Sequence, residues 1–77
     1  MDTYKTPQGT TVNFSKLATA NHLTQISESG QGKVKYSVKL TGNHSTYTED
    51  MQTYTEFEAI DWDGSKISIS ELDIIQY

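Results

Sequence analysis

Residues 33–40 alternate strictly between polar and apolar side chains, and this pattern constrains the fold more than any other part of the sequence. The apolar members are Val34, Tyr36, Val38 and Leu40, and the polar members are Lys33, Lys35, Ser37 and Lys39. Successive side chains of a β-strand point to opposite sides. The alternation therefore predicts a strand with one side in the core and a wet, basic side opposite.

Other segments predict partners for this strand. Residues 23–27 can pair with it through a turn at residues 28–32, which contain two glycines. Near the end, Asp61-Trp62-Asp63-Gly64 lies between two β-rich runs and predicts a hairpin turn, with Ile67 and Ile69 facing the core. A further strand is expected at residues 10–14.

Three segments leave the secondary structure open. Ser15 is an acceptable helix N-cap, so a short helical turn is expected from about Ser15 to Ala20, followed by a strand; a longer helix is the competing interpretation. Residues 41–53 are polar without clear periodicity and predict a mobile loop. Residues 72–75 predict a one-turn helix or a short closing strand.

The fold class that follows is mainly β in a single small domain, residues 1–77. We expect a small antiparallel sheet or an SH3-like barrel with the short N-terminal helical turn, and an α+β domain with one helix on the sheet is the alternative. A chain of 77 residues has a thin core. Five tyrosines and one tryptophan help to fill it, and a homo-oligomer remains an option for enlarging it.

The C-terminal stretch 59–64, followed by Ile67, Ile69, Leu72 and Ile74, resembles the closing hairpin of SH3-like and Tudor-like barrels. The resemblance covers about 16 of the 77 residues and implies a barrel architecture. Tudor-like domains hold methylated side chains in aromatic cages, but the resemblance assigns no cage residue to this chain.

Several classes of protein are disfavoured by the composition. The chain has no cysteine, hence no disulfide and no thiolate metal ligand, and we expect neither a metal nor a cofactor. An EF-hand alignment on Gly64 fails because it puts Ala59 and Ser70 at the terminal ligand positions. No apolar run exceeds two residues and no secretory signal is visible. The expectation is a cytoplasmic protein without a membrane segment.

Catalysis would most naturally use His22 or His44, because histidine is the residue type that most often serves as a general base. His44 is next to Ser45, and Glu49 or Asp50 could orient it. The sequence has no nucleophile elbow, phosphate loop or paired-histidine motif. We therefore expect a protein that is not an enzyme, with hydrolysis through His44 as the least favoured hypothesis.

Charge is distributed unevenly along the chain, with a net of +3 over residues 1–40 and −7 over residues 41–77. The second half also carries tyrosines that can anchor an interface. Acidic residues also keep small proteins soluble, which is the plainer interpretation. The predicted partner-binding residues are Tyr47, Glu49, Asp50, Tyr54, Glu56, Glu58, Asp61 and Asp63.

The leading hypothesis is a non-enzymatic acidic module that docks on a basic site of a larger protein. Glu56 and Glu58 on one side of a strand would resemble successive phosphates, so the strand could occupy a basic groove built for DNA or RNA. The small size and acidic composition are also typical of phage or mobile-element inhibitors of nucleic-acid-processing machinery, which is an association by composition. The alternative is a β-barrel that binds nucleic acid through Lys33, Lys35 and Lys39 with tyrosine stacking. The net charge of −4 makes nucleic acid the less expected partner.

Overall fold

The computed structural model of the chain describes residues 2–28 and 30–77. These residues form seven β-strands and one short 3₁₀ helix, so the fold is mainly β, as predicted. The strands are β1 (Thr3–Lys5), β2 (Thr11–Asn13), β3 (Ala18–Ser27), β4 (Gly30–Glu49), β5 (Gln52–Ile60), β6 (Lys66–Ser70) and β7 (Ile74–Ile75), and the 3₁₀ helix is Glu71–Asp73.

The strands form two antiparallel sheets. β1 and β2 make a two-stranded sheet, and the other five make a second sheet in the order β6-β5-β4-β3-β7. β4 is central because its first half pairs with β3 and its second half with β5. The register is interrupted between Leu40 and His44, where Gly42 has a φ of +98° that glycine adopts without steric cost.

The core lies on one side of the large sheet, under β1 and β2. The alternation in β4 is confirmed at Val38 and Leu40, which are buried while Lys39 is exposed. Tyr36 is half-buried, and the prediction is wrong for Val34, which is 39% exposed. Ile67 and Ile69 also face the core, as predicted. The buried apolar side chains are Val12, Ala18, Ala20, Val38, Leu40, Phe57, Ala59 and Ile69.

Both predicted hairpins are present. In the β5–β6 turn the Gly64 amide donates to the Asp61 carbonyl at 3.2 Å, and Gly64 has a φ of +88°. This is a type I turn followed by a left-handed residue, as in three-residue hairpin loops. The β3–β4 turn is shorter than predicted because Ser27 already pairs with Gly30. Of the residues expected in that turn, Ser29 lies outside the described residues.

The helical turn predicted from Ser15 to Ala20 is wrong, and so is the α+β alternative, because the described residues contain no α-helix. The Lys16 amide donates to the Asn13 carbonyl at 3.2 Å, and this turn leads directly into β3. Ala18 and Ala20 are buried on β3 opposite Val38 and Tyr36. Close packing against these larger neighbours overrides the helix preference of alanine.

The mobile loop predicted at residues 41–53 is also wrong, since this segment is a β-hairpin that continues β4 into β5. Asp50 and Met51 form its two-residue turn with φ values of 52° and 65°. The hairpin extends past the core, and Thr46 and Thr48 are exposed although they lie on the core side of the strand. Without an apolar side, the strand has no alternation in hydropathy for sequence analysis to detect.

The C-terminus combines the two predicted forms, because the 3₁₀ helix is followed directly by β7. The Ser70 hydroxyl caps this helix by accepting from the Leu72 amide. The helix contacts both β3 and β5. β6 and β7 remain the two edges of that sheet in the described part of the chain, so hydrogen bonding does not close it into a barrel. No helix of the described residues is long and apolar enough to cross a membrane.

Candidate partner-binding face

Five of the predicted partner-binding residues share one side of the β4–β5 hairpin. Paired residues of antiparallel strands place their side chains on the same side, and the register sets Tyr47 opposite Tyr54 and Glu49 opposite Gln52. Alternate residues of β5, such as Phe57, are buried on the other side. We call the shared surface the acidic face, and it consists of Tyr47, Glu49, Tyr54, Glu56 and Glu58.

The two tyrosines of the acidic face are fixed by neighbours. Their ring centroids are 5.7 Å apart. The Tyr47 hydroxyl is 2.5 Å from the Ser70 hydroxyl of β6, and the Tyr54 hydroxyl donates to the Gln52 side-chain carbonyl at 2.7 Å. Both residues are half-buried. They therefore present stiff rings that lose little conformational entropy on binding.

Glu58 is held in place by the irregular segment of β4. Its Oε1 accepts from the Thr41 hydroxyl at 3.1 Å and from the Asn43 side-chain amide at 3.2 Å. Next to it is an open cavity of about 220 Å³. The cavity is lined by Asn43, His44, Ser45, Glu56, Glu58 and Ser68. Carboxylate, hydroxyl and amide oxygens in this arrangement suit the ammonium or guanidinium group of a partner.

The charges of the acidic face are not neutralised within the described part of the chain. The ion pair found there joins Lys33 to Asp73 at 3.0 Å, away from this face. No group of three His, Cys, Asp or Glu side chains among the described residues is arranged to hold a metal ion. The glutamates of the acidic face are thus available to a cationic partner.

The three predicted aspartates lie elsewhere. Asp50 is in the hairpin turn at one end of β5, and Asp61 and Asp63 are in the turn at the other end. A nine-residue strand at about 3.3 Å per residue separates the ends by about 30 Å. The predicted acidic residues therefore do not form one continuous patch.

Asp61 and Asp63 stabilise their own turn. The Asp61 Oδ1 accepts from the amides of Asp63 and Ser65 at 3.1 and 3.0 Å, and the Asp63 Oδ1 accepts from the Ser65 amide at 2.9 Å. Hydrogen bonding, first with the Asp61 side chain and then with Ser65, lowers the pKa of Asp63. These two carboxylates therefore stabilise the β5–β6 turn, whether or not they also contact a partner.

The three predicted lysines are exposed on the outer side of β4, with Lys33 paired to Asp73. Tyr36 is on the opposite side of the strand, where its ring packs edge-on against Trp62 at 5.0 Å. Tyr47 is on the lysine side, but the register puts it six β5 positions beyond Lys39, or about 20 Å. The structure therefore does not bring the lysines and these tyrosines together.

His44 lies in an aromatic cluster. Its ring centroid is 4.1 Å from that of Tyr4, 5.9 Å from Phe14 and 6.1 Å from Phe57. Its Nδ1 is 3.2 Å from the main-chain carbonyl of Gly42. Glu49, proposed to orient it, is five β5 positions away in the register, about 16 Å. The structure thus does not assemble the predicted pair of histidine and acid.

Sequence reasoning missed one buried carboxylate. Glu71 is only 6% exposed, and sequence reasoning assigned it no role. Its two oxygens accept from the Thr6 hydroxyl and from the Thr55 amide, both at 2.8 Å. The partners are 65 and 16 residues away in sequence, so no local pattern announces the contact. Glu71 ties the β1–β2 turn and β5 to the 3₁₀ helix.

The fold and these surfaces define a small antiparallel β domain with an acidic, tyrosine-bearing face. No protein-family model matches the chain, and no curated protein or solved structure is significantly similar to it.

Proposed function

We propose that the protein is a non-enzymatic binding module whose acidic face docks on a basic site of a larger protein. The observation that carries this proposal is the register of β4 and β5, which gathers three glutamates and two tyrosines on one side of a hairpin. Aromatic side chains supply the contact area at such interfaces, and charge complementarity supplies selectivity and rapid association.

The spacing of the glutamates supports a class of target. Glu56 and Glu58 are two residues apart on β5, so about 7 Å separates them along the strand. Carboxylates in such a row resemble the phosphates of a nucleic-acid strand and suit a groove built for one. We therefore propose nucleic-acid-processing machinery as the target and inhibition, of the kind used by phages and mobile elements, as the activity.

Charge reversal on the acidic face tests this proposal. The Glu56→Lys, Glu58→Lys variant should lose a stoichiometric partner that the wild-type chain retains from a nuclease-treated lysate of the source organism. A matched control is Asp2→Lys, Glu28→Lys, which changes the net charge equally at two exposed positions outside the acidic face. The control should keep the partner, and added salt should slow association.

Two results would contradict the proposal. Equal retention of the partner by both variants would mean that net charge, or another surface, determines binding. A wild-type chain that retains no protein at any salt concentration would remove the basis for a protein target.

A second candidate, binding of nucleic acid, is favoured by the exposed lysines at alternate positions of β4. Titration with a single-stranded oligonucleotide should then show affinity that falls steeply with salt. Lys35→Ala should weaken it, whereas Lys16→Ala, which removes another exposed lysine, should not. The lack of tyrosines beside these lysines makes this the weaker candidate.

A further inference from the structure

A groove of about 300 Å³ separates β2 from β7. It is lined by Thr10, Thr11, Val12, Glu71, Ile74, Ile75 and Gln76. β2 pairs with β1, and β7 pairs with β3. Each of the two lining strands therefore turns its other edge toward the groove.

The hydrogen bonds of β2 show which backbone groups face the groove. The Phe14 amide donates to the Asp2 carbonyl and the Thr6 amide donates to the Thr10 carbonyl, so residues 10 and 14 bond toward β1. Backbone groups alternate in direction along an antiparallel strand. The N–H and C=O of Thr11 consequently point away from β1, and no described residue donates to or accepts from them. They form an open template for strand pairing.

Gln76 already uses this edge at one end of the groove. Its Oε1 accepts from the Asn13 amide at 2.9 Å, and its Nε2 donates to the Asn13 carbonyl at 2.8 Å. This pair of bonds is the one that a neighbouring strand residue would make. The edge of β2 is therefore shaped and positioned to accept an amide, and the position two residues earlier, Thr11, is the next place for one.

Glu71 gives the groove a charge. Glu71 is one of the residues that line the groove, is 6% exposed, and has no Lys, Arg or His partner among the described residues. A carboxylate accepts about four hydrogen bonds, and here the Thr6 hydroxyl and the Thr55 amide provide two. A buried charge without a counter-ion is costly, and a cation in the groove would offset that cost.

We propose that this groove binds an extended segment of a partner protein by strand addition to β2, with an arginine or lysine of the segment reaching Glu71. The backbone of the segment would pair with Thr11, and Ile74 and Ile75 would pack against its apolar side chains. Main-chain pairing gives affinity in this mode of recognition, and the charged pocket gives specificity. This site is separate from the acidic face and does not depend on it.

A pair of peptides tests the proposal. The probe is an acetylated and amidated pentapeptide with arginine at its centre and valine and threonine on either side. The control replaces arginine by citrulline, which has the same shape without the charge. In ¹H–¹⁵N spectra of the full chain, the arginine peptide should shift the amides of Thr11, Thr55 and Ile74. The citrulline peptide should bind at least about tenfold more weakly.

Three variants locate the interaction. Glu71→Gln keeps an acceptor for the Thr55 amide, so it should fold and bind both peptides equally. Thr11→Pro removes only the outward amide, which an edge strand tolerates, and should weaken binding of both peptides. Glu56→Lys, Glu58→Lys should leave groove binding unchanged.

The proposal is overturned if the arginine peptide causes no shifts at the groove in the millimolar range. It is also overturned if the preference for arginine persists in Glu71→Gln, or if the charge reversal on the acidic face abolishes the binding.

Discussion

Two threonine-to-valine substitutions, at the two residues that donate to Glu71, should change stability in opposite directions. Thr55 is fully buried, and its hydroxyl has no hydrogen-bond partner among the residues that the structure describes. Thr6 is 4% exposed, and its hydroxyl donates to Glu71 at 2.8 Å and accepts from the Thr10 amide at 3.0 Å. The same chemical change thus removes an unsatisfied group at one site and two hydrogen bonds at the other.

The magnitudes follow from these contacts. An unpaired buried hydroxyl costs about 1–3 kcal/mol, and the new methyl group of valine gains up to about 0.8 kcal/mol. We expect Thr55→Val to raise the free energy of unfolding by about 1–2 kcal/mol after partial compensation by local relaxation. A hydrogen bond to a charged group contributes about 1.5–3 kcal/mol. Because the Thr10 amide also loses its acceptor, Thr6→Val should lower the free energy of unfolding by about 2–4 kcal/mol.

Thermal and urea unfolding followed by circular dichroism measure both effects. In a domain of this size 1 kcal/mol moves the Tm by about 4–8 °C. The total stability expected for 77 residues is about 4–12 kcal/mol, so Thr6→Val should be near the limit of folding. A destabilised Thr55→Val variant would refute the reasoning, because it would mean that the hydroxyl has a partner such as ordered water. An unchanged Thr6→Val variant would refute the role of Glu71 as a tie between elements.

Three further predictions concern the core, the irregular segment and a tyrosine. Phe57→Ala should lower the free energy of unfolding by about 3–5 kcal/mol because the ring is fully buried, and amide spectra of the variant should show an unfolded population. Gly42→Ala should lower the free energy of unfolding in urea by about 1–3 kcal/mol through backbone strain alone, since the φ of +98° is strained for alanine while the added Cβ would meet no other atom within 4 Å. Burial, and then the charge of Asp61, raise the pKa of Tyr36. The folded protein therefore holds the Tyr36 proton more tightly than the unfolded chain does. The contribution of this group to the free energy of unfolding is complete below about pH 10 and is lost as the pH rises through the raised pKa. Tyr36→Phe should flatten that alkaline decline in urea unfolding, and an unchanged decline would contradict the assignment.

Sequence analysis succeeded where a segment has one buried side and one wet side. Val38 and Leu40 alternate with Ser37 and Lys39 because β4 lies over the core at these positions, and the burial pattern follows the hydropathy pattern. The turn ending at Gly64 was also predictable, since a left-handed residue after a type I turn strongly favours glycine.

It failed where the structural reason is distant in sequence. Thr46 and Thr48 are exposed in a part of β4 that is polar on both sides, so its hydropathy has no period of two that would reveal the hairpin. Met51 adopts a φ of +65° in its turn, and methionine is not a residue type that predicts a positive φ. Glu71 is buried by residues from β5 and the β1–β2 turn, and no neighbouring residue distinguishes it from a surface glutamate.

For the site, the sequence identified residue types better than their arrangement. Glu56 and Glu58 were expected on one side of a strand, and the register of β5 places them there. Tyr47 joins them only because β4 continues past Gly42 and pairs with β5. Sequence reasoning had predicted a loop at residues 41–53 instead. The separation of Asp61 and Asp63 from this face follows from the length of β5 and from their use in a turn.

The acidic face and the groove are both proposed to bind basic groups of a partner, but they would affect different rate constants of binding. Glu56 and Glu58 on the acidic face are half-buried at the surface of the hairpin, where their charges can still attract a basic partner before contact. Charge reversal at these two residues should therefore lower the association rate and the salt dependence of binding. Glu71 is buried and meets a cation only after the segment has entered the groove, so Glu71→Gln should mainly raise the dissociation rate. If one basic partner engages both surfaces, kinetic measurements on these two variants would separate their contributions. An association rate reduced by Glu71→Gln alone would show instead that the groove takes part in the first encounter.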